Sequence, residues 1–262
     1  MDLGIKGKKA LLAGASAGMG KASALALARE GAEIYISARG EARLASCASE
    51  IADATGAKVV PITADHGTSE GRTALLKACP DPDILVITCS PPRFLESYRE
   101  VEPEEWSQVL STTFIGPVEL MRATIDGMAK RGFGRVVNIA TIGAKTTNET
   151  RLLSGAPRAA LCNYTSSISK QVSRHNVAIN NILPGMFHTA AIRDKFEKLA
   201  AANGTTYEIE TEKWTAELAI PARRFGEPTD IGALCALLCS QYAGYIVGQN
   251  IVIDGGIVRT TF

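Results

Sequence analysis

The chemistry of this chain begins at AGASAGMG, Ala13 to Gly20, where Gly14, Gly18 and Gly20 lie between an apolar run and an Ala/Leu-rich stretch. Glycine at 14 permits a tight turn, and glycines at 18 and 20 let main chain and helix approach a diphosphate whose charge is met by the helix N-terminus. Ser16 and Met19, inside the same loop, join the expected cofactor contacts. A loop of this kind, following a strand and opening a helix, binds a dinucleotide. Side chains for reaction chemistry are sparser. Ser154 and Arg158 are four apart and share a helix face, yet a lone serine is a poor proton donor and arginine stays protonated near neutral pH. His188, in PGMFHT, is of the residue type best suited to proton transfer, and Lys145 could donate a proton or bind a substrate carboxylate. Cys89 has nothing beside it in the sequence to activate it as a nucleophile. His66 and His175 read as structural or surface residues, and no His/Cys/Asp cluster has metal-ligand spacing.

These residues need a scaffold, and the hydropathy pattern supplies one. Lys9–Ala13, Glu33–Ala38, Lys58–Ala64, Ile84–Thr88, Arg135–Ala140, Val177–Leu183 and Asn250–Ile253 read as strands, most of them apolar on consecutive residues, as strands covered on both faces require. Helices are expected over Lys21–Glu30, Glu41–Thr55, Thr68–Ala78, Pro103–Arg131, Pro157–His175 and Thr229–Cys239. Alternation of this kind gives an α/β fold, a single Rossmann-type, doubly wound parallel sheet with helices on both faces. The segment 190–225 breaks the rhythm at the carboxyl end of a strand, where such folds bind ligands, and is expected to be a substrate lid.

The Gly-x-x-x-Gly-x-Gly spacing resembles that of the short-chain dehydrogenase/reductase family, and further matches run over nearly the whole chain. Asp65, after the third strand, looks like that family's adenine-contacting acid. Asp83 to Val86, Gly134 to Thr141, Asn176 to Gly185 and Gly248 to Gly256 resemble its later strands. The resemblance places Pro184, Gly185 and Thr189 at the nicotinamide, with Thr189 as the carboxamide contact, and Cys89 in the same cleft. Ala38 stands where an NAD enzyme carries an acid for the ribose 2′-hydroxyl, and Arg39 follows it. An acid would repel a 2′-phosphate, whereas arginine pairs with it, so NADP is favoured over NAD.

The same resemblance implies a Ser, a Tyr-x-x-x-Lys pair and an Asn as the proton-transfer set. Carried over by spacing, those positions hold Thr141, Ser154, Arg158 and Thr113, so all four residue types differ. Thr141 and Ser154 would orient the substrate oxygen, Arg158 would hydrogen-bond the nicotinamide ribose, and Lys145 or His188 would supply the proton. Tyr164 and Lys170 do not restore the motif, because a gap of six residues sets them about 240° apart around a helix. Tyr164 reads as a core or interface residue.

Composition bounds the rest. A chain of 262 residues with 46% hydrophobic content can bury one sizeable core, and a net charge of +1 without a basic block argues against nucleic-acid and membrane-surface roles. No secretory leader or membrane-length apolar run is read, and 6 scattered cysteines without a CxxC pair fit reduced thiols in a cytoplasm. Cys235 and Cys239, four apart on an apolar helix, read as core packing. The carboxyl-terminal IVIDGGIVRTTF resembles the family's subunit-contact strand, which implies a homodimer or homotetramer. The expected activity is hydride transfer between NADP(H) or NAD(H) and a carbonyl or alcohol of a small organic substrate, as in a ketoacyl-type reductase. Loss of the four residue types motivates one alternative, a non-catalytic or regulatory nucleotide-binding protein. Arg158 invites another, a lyase or dehalogenase-like activity, although halohydrin dehalogenases lack the glycine loop and use a tyrosine absent here.

Overall fold

Strands that are apolar on consecutive residues need helices on both sides, and the computed structural model, which describes residues 1–260, shows that arrangement. Seven parallel strands form one sheet: β1 (Lys9–Ala13), β2 (Glu33–Ala38), β3 (Val59–Thr63), β4 (Ile84–Ile87), β5 (Gly134–Ile139), β6 (Val177–Pro184) and β7 (Asn250–Ile253). Their order is β3-β2-β1-β4-β5-β6-β7. Strand β1 therefore pairs with β2 on one side and β4 on the other, and the winding reverses between β1 and β4, where open α/β sheets bind their ligands.

The pleat of β1 divides the core. Ala10 and Leu12 enter a cluster with Leu27 of α1 (Gly18–Arg29), Ile51 of α2 (Glu41–Thr55) and Ile231 of α9 (Pro228–Cys239). Leu11 and Ala13 face the opposite cluster, with Leu75 of α3 (Ser69–Ala78), Met121 of α5 (Gly116–Arg131) and Leu161 of α6 (Leu152–Val172). Cys235 and Cys239 are buried in the first cluster.

Two helices depart from the sequence reading. The helix expected over Pro103–Arg131 is divided into α4 (Pro103–Leu110), a π turn at Ser111–Ile115 and α5. The Gly116 amide donates to the Ser111 carbonyl five residues back, and the following Pro117 has no amide to restore the tighter ladder. The helix expected to start at Pro157 starts at Leu152 instead, with Ser154 and Gly155 amides bonded to Arg151 O. Its first turns carry buried Leu153, Ser154 and Gly155, so packing extends the helix ahead of a proline that reads as a helix start.

The segment 190–225 forms α7 (Ala190–Asn203) and α8 (Tyr207–Glu217), which share an aromatic cluster of Phe196, Tyr207, Trp214 and Phe225. Among the described residues no helix is long and apolar enough to cross a membrane, and no group of His, Cys, Asp and Glu could hold a metal ion. Thr261 and Phe262, the end of the expected subunit-contact segment, lie outside the described residues.

Candidate functional site

The glycine loop turns between β1 and α1 with Gly14 at φ +78° and Gly18 at φ +54°, values that suit glycine. A Cβ on Gly14 would lie 2.0 Å from the Thr88 carbonyl oxygen, and one on Gly20 would lie 2.5 Å from Gly14 O. Both glycines thus let β1, α1 and the end of β4 converge. No side chain caps α1 at Ala17, so its first-turn amides remain available to an anion. The Ser16 hydroxyl accepts a hydrogen bond from Arg43 Nε at 3.2 Å. Met19 packs its side chain against the core, and of the loop residues it offers the site only main chain.

Beside this loop runs a cleft of about 340 Å³ lined by, among others, Gly14, Ser16, Arg39, Arg43, Asp65 and Cys89. The Arg39 side chain is 71% exposed and its Nη1 lies 4.0 Å from Asp65 Oδ2. Asp65 is held by the Gly67 amide at 2.9 Å. The sequence reading missed Arg43. Its spacing is the available signal, since it follows Arg39 by four residues in the first turn of the helix after β2. An uncapped helix start, a cradle that a Cβ would fill and two guanidiniums without an acid at position 38 fit a dinucleotide phosphorylated on its ribose. His66 is buried and bonds Thr112 O at 2.9 Å, and burial pushes its imidazole below the usual value. That is a structural histidine. His175 is exposed.

At the other end of the cleft, α6 brings Ser154 and Arg158 together. Both are buried, and Arg158 Nη1 donates to Ser154 Oγ at 3.2 Å and to Ser154 O at 3.1 Å. Arg158 Nη2 lies 3.0 Å from Cys89 Sγ. Cys89 is therefore not isolated, as its sequence neighbours imply, but faces a cation delivered from 69 residues downstream by the fold. Thr141 follows β5 and its Oγ1 accepts from the Gly143 amide at 3.2 Å, opening a short 3-10 turn. Thr113 lies in the π turn, buried, with its hydroxyl donating to Val109 O at 2.7 Å.

Pro184 ends β6 and Gly185 follows it, bonded through its amide to Ile253 O at 3.0 Å. Thr189 caps α7 through the Ile192 amide, and its Cγ2 would be 3.5 Å from a Cβ on Gly18. Helix α7 thus starts against the glycine loop.

The remaining expected donors are placed differently. Lys145 is exposed and makes no side-chain hydrogen bond or ion pair among the described residues. His188 hydrogen-bonds through Nδ1 to the Tyr207 hydroxyl, stacks 5.3 Å from the Phe225 ring and turns Nε2 to within 3.9 Å of Glu227 Oε1. Its ring is fastened to α8. Tyr164 packs edge-on against Phe114 in the core.

A family model described as enoyl-(acyl carrier protein) reductase matches residues 14–258. The chain is 31% identical over 260 residues to the 3-oxoacyl-(acyl-carrier-protein) reductase FabG of Vibrio cholerae, covering 97% of this chain and 99% of that protein. It is 27% identical over 253 residues to dehydrogenase/reductase SDR family member 4 of Homo sapiens, covering 95% and 87% of the two chains. Among solved structures, L-sorbose reductase from Gluconobacter frateurii, complexed with NADPH and L-sorbose, superposes with a TM-score of 0.94 at 29% identity, over 99% of this chain and 100% of that one.

Proposed function

Because this chain belongs to the short-chain dehydrogenase/reductase family, we propose an NADP(H)-dependent reduction of a carbonyl in which Ser154 and Arg158 replace the usual proton-transfer pair. The protein is an oxidoreductase of the ketoacyl-reductase type. The non-catalytic and dehalogenase-like alternatives are not favoured, since relatives matched over their full length are reductases by name and the glycine cradle is intact.

NADPH, when bound, supplies the hydride. The first-turn amides of α1 receive the diphosphate, Arg39 and Arg43 meet the 2′-phosphate, and Asp65 borders the adenine. The observation that carries the catalytic reading is the bond from Arg158 Nη1 to Ser154 Oγ. With its oxygen occupied as an acceptor, the Ser154 hydroxyl has its hydrogen free to donate to the substrate oxygen. The adjoining guanidinium stabilises the negative charge that develops there. Thr141 orients the same oxygen from the end of β5. A guanidinium is a poor proton donor, so protonation of the product draws on another group. Lys145 has free reach, whereas both ring nitrogens of His188 face the lid side, toward Tyr207 and Glu227.

Further parts of this reading are a single domain over 1–262, a lid formed by α7 and α8, a homodimer or homotetramer, and a cytoplasmic location. The test is NADPH oxidation by purified protein against ketones, diketones and ketoacyl thioesters, in the wild type and in T141A, S154A, K145Q and H188Q. Turnover abolished by S154A supports the reading. Tight NADPH binding without turnover of any substrate sinks it.

A further inference from the structure

Three cations, Arg151, Arg158 and Lys195, have no ion-pair partner among the described residues. Arg158 is 4% exposed and has no carboxylate within ion-pair distance among residues 1–260. Arg151 stands seven residues earlier, at the start of α6, which puts it on the same helical face about 10 Å along the axis. Its Nη1 donates to Pro92 O at 3.2 Å and its guanidinium lies 4.2 Å from the centroid of Phe94. Lys195, on lid helix α7, places Nζ 4.3 Å from the centroid of the same Phe94 ring and 4.5 Å from that of Trp214. Neither Arg151 nor Lys195 forms an ion pair among the described residues.

Neighbouring cations are paired. On the same helix α7, Arg193 faces Glu197 and Lys198 faces Asp194, and in the β4–α4 connection Arg93 is clasped by Glu100 and Glu105. Aromatic faces hold a cation in place but cancel little of its charge. Burial and the neighbouring Arg158 push the Arg151 guanidinium below its usual range, and burial and Arg151 do the same to Lys195. Mutual repulsion among partly buried cations costs stability unless an anion joins them. Three different elements contribute: α6, the lid and the segment after β4. Arg158 adjoins Cys89, and Cys89 lines the same cleft as Arg39 and Arg43, the two arginines proposed for the cofactor's 2′-phosphate.

We propose that Arg151, Lys195 and Arg158 form an anion-recognition side of the substrate pocket, and that the substrate is a carbonyl or alcohol compound bearing a carboxylate or phosphate group. The inference rests on the oxidoreductase reading for its substrate class and on the three cations for its charge. Arg151 and Arg158 would take anionic oxygens through planar donors, and Lys195 would close over the same group as the lid shuts. Phe94, 49% exposed, offers one ring to both cations, its centroid 4.2 Å from the Arg151 guanidinium and 4.3 Å from Lys195 Nζ.

The experiment compares matched pairs that differ in charge: acetoacetate with methyl acetoacetate, and dihydroxyacetone phosphate with dihydroxyacetone. NADPH oxidation is measured for the wild type, R151Q, K195Q and, as a control on the paired face of α7, K198Q. The wild type is expected to favour a charged member on the order of 10-fold in kcat/KM, mostly through KM, and that ratio should collapse in R151Q and K195Q but not in K198Q. Preference for acetoacetate or for the phosphate identifies which anion is read. Equal or better turnover of the neutral members, or selectivity that survives both substitutions, overturns the inference while leaving the oxidoreductase reading intact. If no pair turns over, calorimetry of acetoacetate and inorganic phosphate with NADP-saturated protein decides. Binding lost in the R151Q/K195Q double variant supports the anion site, and no binding overturns it.

Discussion

Arg158 Nη2 lies 3.0 Å from Cys89 Sγ, which ties α6 to the residue that leaves β4 along the cofactor cleft. Cys89 is also the one partly exposed cysteine, the other five being buried. Burial pushes the Cys79 and Cys162 thiols up to about 12, so they stay protonated and unreactive. Native protein treated with iodoacetamide should yield a single adduct, at Cys89, by peptide mass spectrometry, and saturating NADPH should slow its formation. Several adducts, or no protection, would contradict its place on the cleft.

Arg158→Lys keeps the charge but cannot span Ser154 Oγ and Cys89 Sγ with one ammonium. The expected effect is a fall in kcat on the order of 100-fold, as for loss of a preorganised donor at a developing oxyanion. Stopped-flow single turnovers check it, and a variant of near wild-type rate would remove Arg158 from the reaction.

Gly14→Ala meets both a left-handed φ and the Thr88 carbonyl, whereas Gly56→Ala at φ +69° meets open space. Strain alone costs about 1–2 kcal/mol, and the clash adds roughly 1–3 kcal/mol. Urea unfolding should therefore show G14A losing clearly more stability than G56A, with NADPH binding lost in G14A alone.

Arg39→Ala and Arg43→Ala should each weaken NADPH about 10-fold, the loss of one charge-assisted hydrogen bond, and leave NADH nearly unaffected. Fluorescence titration with both nucleotides gives the answer. Parallel loss of NADH affinity would mean the two arginines support the loop rather than read a phosphate.

His66 provides a pH test of the fold. Burial, against the hydrogen bond to Thr112 O, holds its folded-state pKa below the usual 6.5. The unfolded chain then binds the proton first, so stability is full above about 6.5 and declines as pH falls toward the lowered folded value, levelling beneath it. In His66→Gln that part of the slope should vanish from urea midpoints measured between pH 7 and pH 5, a range set by the imidazole's ordinary titration.

Much of the architecture was legible because buried parallel strands write themselves as apolar runs. Lys9–Ala13, Glu33–Ala38 and Asn250–Ile253 fall where hydropathy places them. The errors have local causes. Pro157 reads as a helix start, yet α6 begins at Leu152, and a π turn at Ser111–Ile115 has no periodic signature. In the site, Ser154 and Arg158 could be paired from their spacing, since four residues along a helix is a contact. Cys89 with Arg158, or Arg151 with Lys195 at Phe94, could not, because each joins residues far apart in sequence through sheet order and the packing of α7.

Two adjacent residues after β4 divide the labour of the molecule. Thr88 fills the space that Gly14 and Gly20 leave open, with its carbonyl at the first and its methyl at the second, and Cys89 contacts Arg158. The peptide between them is a border between an old obligation and a free one. Residue 88 is held by the glycine turn, whereas residues 89 to 92 line the cleft, so a change there alters what the cleft presents without touching the packing of Gly14.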